Sequence, residues 1–264
     1  MGRQPAGHQA RKRFGQNFLE DEQIIQSIMH ALAAQPEERI LEIGPGLGAL
    51  TEHLLEETQG HLDVVELDRD LVPVLRTKFF NFPGLTIHQG DALKFDYASL
   101  VSNDKKLRII GNLPYNISTP LIFRLLEFAP LIQDMHFMLQ KEVVDRMAAG
   151  TGEKSYGRLG IMVQYHCQVE PLIEVPPGAF NPRPKVDSSV VRLTPYTELP
   201  VPAKSAAKLE EVVRTAFNQR RKTIRNNLKK MISTQQLENL GIDPGLRPEN
   251  LTLQNFVAIS DTLS

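Results

Sequence analysis

The chain has 264 residues, 41% hydrophobic and 23% charged, with 17 glycines and 18 prolines, a composition that excludes collagen-like, low-complexity and disordered architectures. Its one cysteine, Cys167, excludes an intrachain disulfide and a cysteine-rich zinc site, and no run approaches the roughly 18 apolar residues of a membrane span. The N-terminus is basic without an apolar signal core, so a cytoplasmic location is expected. Net charge is −1, but it is +4 over residues 1–19, −10 over 20–180 and +5 over 181–264.

In chain order, a basic arm with Arg11, Lys12 and Arg13 runs to about Phe18. A helix is expected from near Glu20, because Ile24, Ile25, Ile28 and Leu32 recur at helical spacing. An apolar run at 40–44 and further strand candidates at 63–67, 85–89, 107–110 and 135–139 then alternate with helix-compatible sequence. Such strands imply an α/β fold with a doubly wound, mostly parallel sheet. After the loop at 150–160 (GTGEKSYGRLG) come a short helix to about Cys167, a strand near 171–175, a proline-rich loop and a strand at 188–193. The last two strands are compatible with an antiparallel edge pair.

The segment TPYTELPVPA at 194–203 has three prolines and no periodic apolar face, which places a domain boundary there and divides the chain into 1–195 and 196–264. The second part reads as all-helical. Ser205 can cap a helix with Leu209, Val212, Val213, Ala216 and Phe217 on its buried face. A following helix would bury Ile224, Leu228, Met231 and Ile232 and turn Arg221, Arg225 and Lys229 outward as one stripe. Two short helices, at 235–240 and 253–263, complete it. The stretch 214–230 holds seven basic side chains, Arg220 and Lys222 among them, and no acid. It is either a solvated helix face or a phosphate-contacting surface.

Three clusters carry chemistry. Gly44-Pro45-Gly46-Leu47-Gly48 follows a strand and opens a helix, a turn that approaches a ligand closely and presents amide donors. With Ala49 it also satisfies the G-x-G-x-x-A pattern of dinucleotide sites. Glu66, ending the next strand, suits the two hydroxyls of a ribose, which fits a nicotinamide cofactor equally well. Gly90-Asp91-Ala92 ends the third strand and adds a carboxylate where an adenine amine would lie. Together the glycine turn, Glu66 and Asp91 resemble the cofactor triplet of class I S-adenosylmethionine methyltransferases.

Asn112-Leu113-Pro114-Tyr115 ends the fourth strand and resembles the (D/N/S)-P-P-Y motif of methyltransferases acting on exocyclic amines of bases. An adenine amino nitrogen is a poor nucleophile because its lone pair is delocalised into the ring. The Asn112 side-chain oxygen and the Pro114 carbonyl can each accept an N–H proton, making the nitrogen pyramidal and aiming it at a sulfonium methyl. Tyr115 offers a face for the base to stack on. No metal is expected: the seven histidines are dispersed without ligand spacing, and neither a phosphate loop nor a G-x-S-x-G elbow is present.

RKRFGQNFL, EIGPGLGALT, ELDRDL, GNLPYNISTPL, MLQKEVVDRM, SYGRLG, PPGAFNPRPKVDSSVVRL and FNQRRKTIRNNL, spread from Arg11 to Leu228, together resemble the bacterial 16S (small-subunit) ribosomal RNA adenine N6,N6-dimethyltransferases of the KsgA/RsmA type. The resemblance implies a Rossmann-like class I methyltransferase domain with a small C-terminal helical domain. It also implies S-adenosylmethionine as methyl donor and dimethylation of two adjacent adenosines in the 3′-terminal hairpin of 16S rRNA on a late small-subunit precursor. Carried over by position, Asn17 and Leu19 would close over the cofactor and Gly44 and Gly46 would approach its methionine part. Glu66 would hold the ribose, Asp91 and Ala92 the adenine, and Asn112 would bridge cofactor and amine. Phe180 would sandwich the flipped base against Tyr115. RNA contacts would come from Arg11, Lys12, Arg13, Arg220, Arg221, Lys222, Arg225 and Lys229. Nothing requires more than a monomer or a membrane. Two rivals stand beside this reading: the related drug-resistance family that dimethylates large-subunit RNA, and a non-catalytic RNA-binding assembly factor.

Overall fold

The computed structural model describes residues 16–101 and 105–264. In chain order its elements are β1 (Phe18–Leu19), α1 (Glu22–Leu32), β2 (Arg39–Ile43), α2 (Ala49–Glu57), β3 (Leu62–Glu66), α3 (Leu71–Lys78), β4 (Leu85–Gln89), β5 (Leu107–Asn112) and α4 (Ser118–Leu126). There follow β6 (Ile132–Gln140), α5 (Lys141–Ala148), α6 (Arg158–His166), β7 (Cys167–Val175), β8 (Phe180–Asn181), β9 (Ser188–Pro195), α7 (Ala206–Ala216), α8 (Ile224–Leu228), α9 (Thr234–Asn239) and α10 (Leu253–Thr262).

Packing gathers the chain into two compact units, the described residues up to Val144 with Glu170–Pro195, and Asp145–Val169 with Tyr196–Ser264. The sequence pattern suggested a single division, at 195/196. The packing differs, because residues 145–169 make their bonds with the helical segment: Arg158 Nη2 meets Glu210 Oε1 at 2.9 Å, the Tyr156 hydroxyl donates to the Leu251 carbonyl at 3.0 Å and the Gly152 amide to that of Glu249 at 2.7 Å.

In the first unit a seven-stranded sheet has the order β4-β3-β2-β5-β6-β9-β7. The pairs from β4 to β6 are parallel, and β9 runs antiparallel to β6. Val64, Val65, Ile109 and Ile110 are buried, as expected where helices cover both faces of parallel strands. Because β2 is flanked by β3 on one side and β5 on the other, the chain's winding reverses between β2 and β5. The carboxyl ends of strands at such a reversal open a crevice, and the glycine turn and the Asn112 segment leave from those two ends. α1 starts two residues later than its pattern suggested, because the Asp21 carboxylate caps it by accepting from the amides of Gln23 and Ile24 at 3.0 and 3.2 Å. It buries Ile25, Ile28, Met29 and Leu32.

The second unit is helical apart from the first residues of β7. α7 buries Leu209, Val212, Val213 and Ala216 under a Ser205 cap, and the rings of Tyr156, Phe217 and Phe256 pack in sequence at centroid distances of 6.5 and 6.0 Å. The next helix is shorter than the sequence spacing implied. α8 covers Ile224–Leu228 only, with Thr223 extended before it, so Arg221 and Lys229 lie in turns and not on a helical stripe with Arg225. The amides of Ile224 and Arg225 donate to the carbonyls of Leu246 at 2.7 Å and Pro244 at 3.3 Å in place of a preceding helical turn, and Asn227 Nδ2 donates to the carbonyls of Gln219 at 3.2 Å and Lys222 at 3.3 Å. That local competition for backbone groups makes Asn a poor residue inside a helix. Among the described residues no helix is long and apolar enough to cross a membrane.

Candidate active site

A cavity of about 760 Å³ opens at the carboxyl ends of β2, β3, β4 and β5, within the first unit. That volume suits a drug-sized ligand. Its floor is the glycine turn. Gly46 and Gly48 have φ of +61° and +80°, and a Cβ on either would stand 3.1 Å from the Phe18 ring or 2.6 Å from the Phe79 ring. Only glycine meets both demands without strain.

Glu66 ends β3 with its carboxylate turned back to the turn, where Oε2 accepts from the Gly46 amide at 3.2 Å and Oε1 from the Asp68 amide at 2.8 Å. Burial raises its pKa despite these amide donors. Asp91 accepts from the Leu93 amide at 2.9 Å through one oxygen, an Asx-turn that leaves the second oxygen as an acceptor at the cavity wall. Ala92 beside it is buried. Asn17 and Leu19 line the same space, and Leu19 is held by antiparallel pairing of β1 with β8.

Asn112 ends β5 and lines the same cavity. Its Nδ2 donates to the Asn17 carbonyl at 2.9 Å, so the amide's orientation is set and Oδ1 keeps its acceptor capacity beside the cavity. The Pro114 carbonyl accepts from the Ile117 amide at 3.2 Å; a carbonyl has two lone pairs, so one remains. The Tyr115 hydroxyl lies 3.0 Å from Ser188 Oγ. Asn112, Pro114 and Tyr115 thus share one cavity with Gly44, Gly46, Glu66, Asp91 and Ala92.

Phe180 does not join them. Its backbone pairs with Leu19 through β8, and its side chain is buried at 5% exposure in the core cluster with Leu19, Val175, Ala179 and Val190. The ring expected opposite Tyr115 therefore anchors the loop in this conformation. Arg220, Arg221, Lys222, Arg225 and Lys229 are exposed on the second unit, while Arg11, Lys12 and Arg13 lie outside the described residues. Three lining residues carried no sequence signal strong enough to single them out. Glu42, buried within β2, has its pKa pushed up to about 8, chiefly by burial and further by the nearby Glu66 carboxylate, while the Thr51 hydroxyl, donating to Oε2 at 2.6 Å, pulls the other way. Leu67 is half exposed on the cavity wall, and Gln16 bonds Asp68 at 3.1 Å. An acid inside an apolar strand was the available signal for Glu42.

The family model for ribosomal RNA adenine dimethylases matches residues 7–264. The chain belongs to this family. Among its relatives, ribosomal RNA small subunit methyltransferase A of Marinobacter nauticus is 63% identical over 98% of this chain and 93% of that one. The same-named protein of Pseudomonas aeruginosa is 61% identical over 97% and 96%. Among solved structures, a dimethyladenosine transferase from Plasmodium falciparum superposes with a TM-score of 0.75 at 27% identity, covering 91% of this chain and 95% of that one. The 23S rRNA methyltransferase ErmE superposes at 0.72 and 25%, covering 94% and 99%. This dimethylase thus has the Rossmann-like class I methyltransferase fold, and its cofactor is S-adenosylmethionine and not a nicotinamide. The cavity lining fits that group: the carboxylates of Glu66 and Asp91 are acceptors of the kind its ribose hydroxyls and adenine amine require.

Proposed function

We propose that this chain dimethylates N6 of two adjacent adenosines in the 3′-terminal hairpin of 16S rRNA, acting as a cytoplasmic monomer on a late small-subunit precursor. The high identity to relatives named for the small subunit favours that RNA over the large-subunit alternative, whose solved representative shares the fold at lower identity. A non-catalytic assembly factor is disfavoured because the acceptor groups of the cavity are intact.

The observation that carries the reading is the orientation of Asn112. With Nδ2 spent on the Asn17 carbonyl, Oδ1 is the group left to accept a proton from a base amine, and the remaining lone pair of the Pro114 carbonyl accepts the second. S-adenosylmethionine, when bound, supplies an electrophilic methyl on a sulfonium centre. Asn112 and Pro114 draw the amine protons out of the base plane and so localise the nitrogen lone pair. Tyr115 gives the flipped base its stacking surface, which offsets part of an unpairing cost of a few kcal/mol. No side chain needs to act as a strong base, since the nitrogen becomes acidic only after it has attacked. A monomethylated amine keeps one proton, so one of these two acceptors suffices to orient it for the second transfer. Glu66 holds the ribose, Asp91 and Ala92 the adenine, Asn17 and Leu19 cover the donor, and the exposed basic segment 220–229 takes RNA phosphates.

Incubation with labelled methyl donor and small subunits lacking these methyl groups, followed by nucleoside analysis, tests this. N6,N6-dimethyladenosine at two adjacent positions of 16S rRNA is expected; label confined to large-subunit RNA, or none, overturns the assignment.

A further inference from the structure

Tyr115 is tied at both ends. Its carbonyl accepts from the Ser118 hydroxyl at 3.2 Å, fixing the backbone, and its phenol oxygen lies 3.0 Å from Ser188 Oγ. Ser188 is 1% exposed. It is the first residue of β9, opposite Gln140 of β6, and the neighbouring Asp187 carbonyl accepts from the Lys141 amide at 2.9 Å. The hydroxyl it offers is therefore mounted on a strand that cannot shift without breaking the ladder.

A phenylalanine would stack on a base as well as a tyrosine does, so the hydroxyl of Tyr115 needs another purpose. A ring held only at Cβ can swing about two torsions, and loss of alignment between amine and methyl is costly because transfer demands near-attack geometry. We infer that Ser188 is a positioning residue for the methyl transfer, locking the Tyr115 ring at the tilt that presents the target amine to Asn112. Ser188 touches neither base nor donor in this role; it acts through Tyr115. The inference rests on the reading of Tyr115 as the stacking surface.

The test is a double-mutant cycle of Ser188→Ala and Tyr115→Phe in the full chain, with Tyr115→Ala alongside and methyl transfer to small subunits as the assay. Ser188→Ala and Tyr115→Phe should each lower kcat by roughly 3- to 10-fold, the range set by one neutral hydrogen bond. The KM for S-adenosylmethionine should stay at the parent value, because Ser188 does not touch the cofactor wall. The double variant should lose no more than either single one. Additive losses, a raised cofactor KM, or parent turnover in Ser188→Ala would overturn the anchor. Should Tyr115→Ala be impaired while Ser188→Ala is not, only the anchor falls. Should Tyr115→Ala keep parent turnover, the stacking role falls and the anchor with it.

Discussion

Arg108 and Asn112 lie near opposite ends of β5, on the same face of the strand, and both are polar groups in a mostly apolar setting. Around Arg108 the chain meets all three guanidinium nitrogens. Nε and Nη2 meet the two oxygens of Asp134 at 2.9 and 2.8 Å, Nη1 meets Glu38 at 2.6 Å, and Nη2 also reaches the Leu32 carbonyl at 2.8 Å. Asn112 is half satisfied: one donor is used on Asn17 and the acceptor is left at a cavity. Burial and polarity therefore do not mark a working site. Arg108 is buried and Asn112 half-buried, and only the one with an open acceptor has something left for a ligand.

Removing the closed end should give the largest effect, and on stability alone. Arg108→Met leaves Asp134 and Glu38 without their partner, and breaking such a buried pair costs about 3–5 kcal/mol. Urea unfolding should show the loss, while the transfer rate per folded molecule stays at the parent value. Asn112→Ala should do the reverse. A drop in kcat of about 10²–10³ is the usual consequence of deleting one transition-state hydrogen bond, with RNA affinity and the urea midpoint close to the parent. If Asn112→Ala instead unfolds the protein and leaves turnover per folded molecule intact, the contrast between the two ends disappears.

The two ends also titrate in opposite senses. His136, buried on β6, has its proton affinity lowered to about 4, first by burial and then by Arg108 and Arg192, against the pull of Asp134. Unfolded, it takes a proton near its ordinary 6.5, so its contribution to stability is present at neutral pH and is lost as pH falls from 6.5 towards 4. Glu42 at the cavity end ionises near 8 when folded and near 4.5 when unfolded, so its contribution is full below 4.5 and is lost as pH rises through 8. Between 4.5 and 6.5 the two slopes oppose each other. Glu42→Gln should therefore gain stability over the parent as pH rises, and His136→Phe as pH falls. Each gain approaches at most about 1.4 kcal/mol per pH unit, read from urea midpoints at several pH values. Parallel curves for parent and variant would show that the residue does not titrate between those limits.

Much of this was legible in the chain, and the residues show why. The β2 turn and Asn112-Leu113-Pro114-Tyr115 could be found because glycine spacing and a polar run ending an apolar strand are local signals. The central strands β2, β5 and β6 followed from the apolar residues that buried parallel strands require, whereas the edge strand β4, none of whose residues is fully buried, is mixed in polarity. What the sequence hid was non-local. Phe180 sits in a loop whose partner, Leu19, is far away in sequence, so its turn into the core depends on the β1–β8 pairing and no nearby pattern announces it. Residues 145–169 join the helical unit through Tyr156, Arg158 and Gly152, whose partners lie at 251, 210 and 249. The interruption before α8 is non-local as well: the amides of Ile224 and Arg225 donate to the carbonyls of Leu246 and Pro244, while Asn227 competes for the carbonyls of Gln219 and Lys222.

The basic segment supplies a third kind of polar group, neither closed nor half closed but open to water, and it should give the smallest effect per residue. Arg221, Arg225 and Lys229 are exposed, and exposed charges act over distances that salt screens. Their replacement by glutamine together should leave turnover at saturating RNA near the parent value and show up in the salt dependence of RNA binding. The slope of log K against log salt should flatten by about 0.7–0.9 for each phosphate that is no longer neutralised. Because Arg221 and Lys229 lie in turns and do not extend a helical row through Arg225, the three need not meet one backbone in register, and a flattening smaller than three phosphates would give is the expected result. An unchanged slope would mean that the segment faces solvent when RNA is bound, and that the phosphates are met elsewhere on the chain.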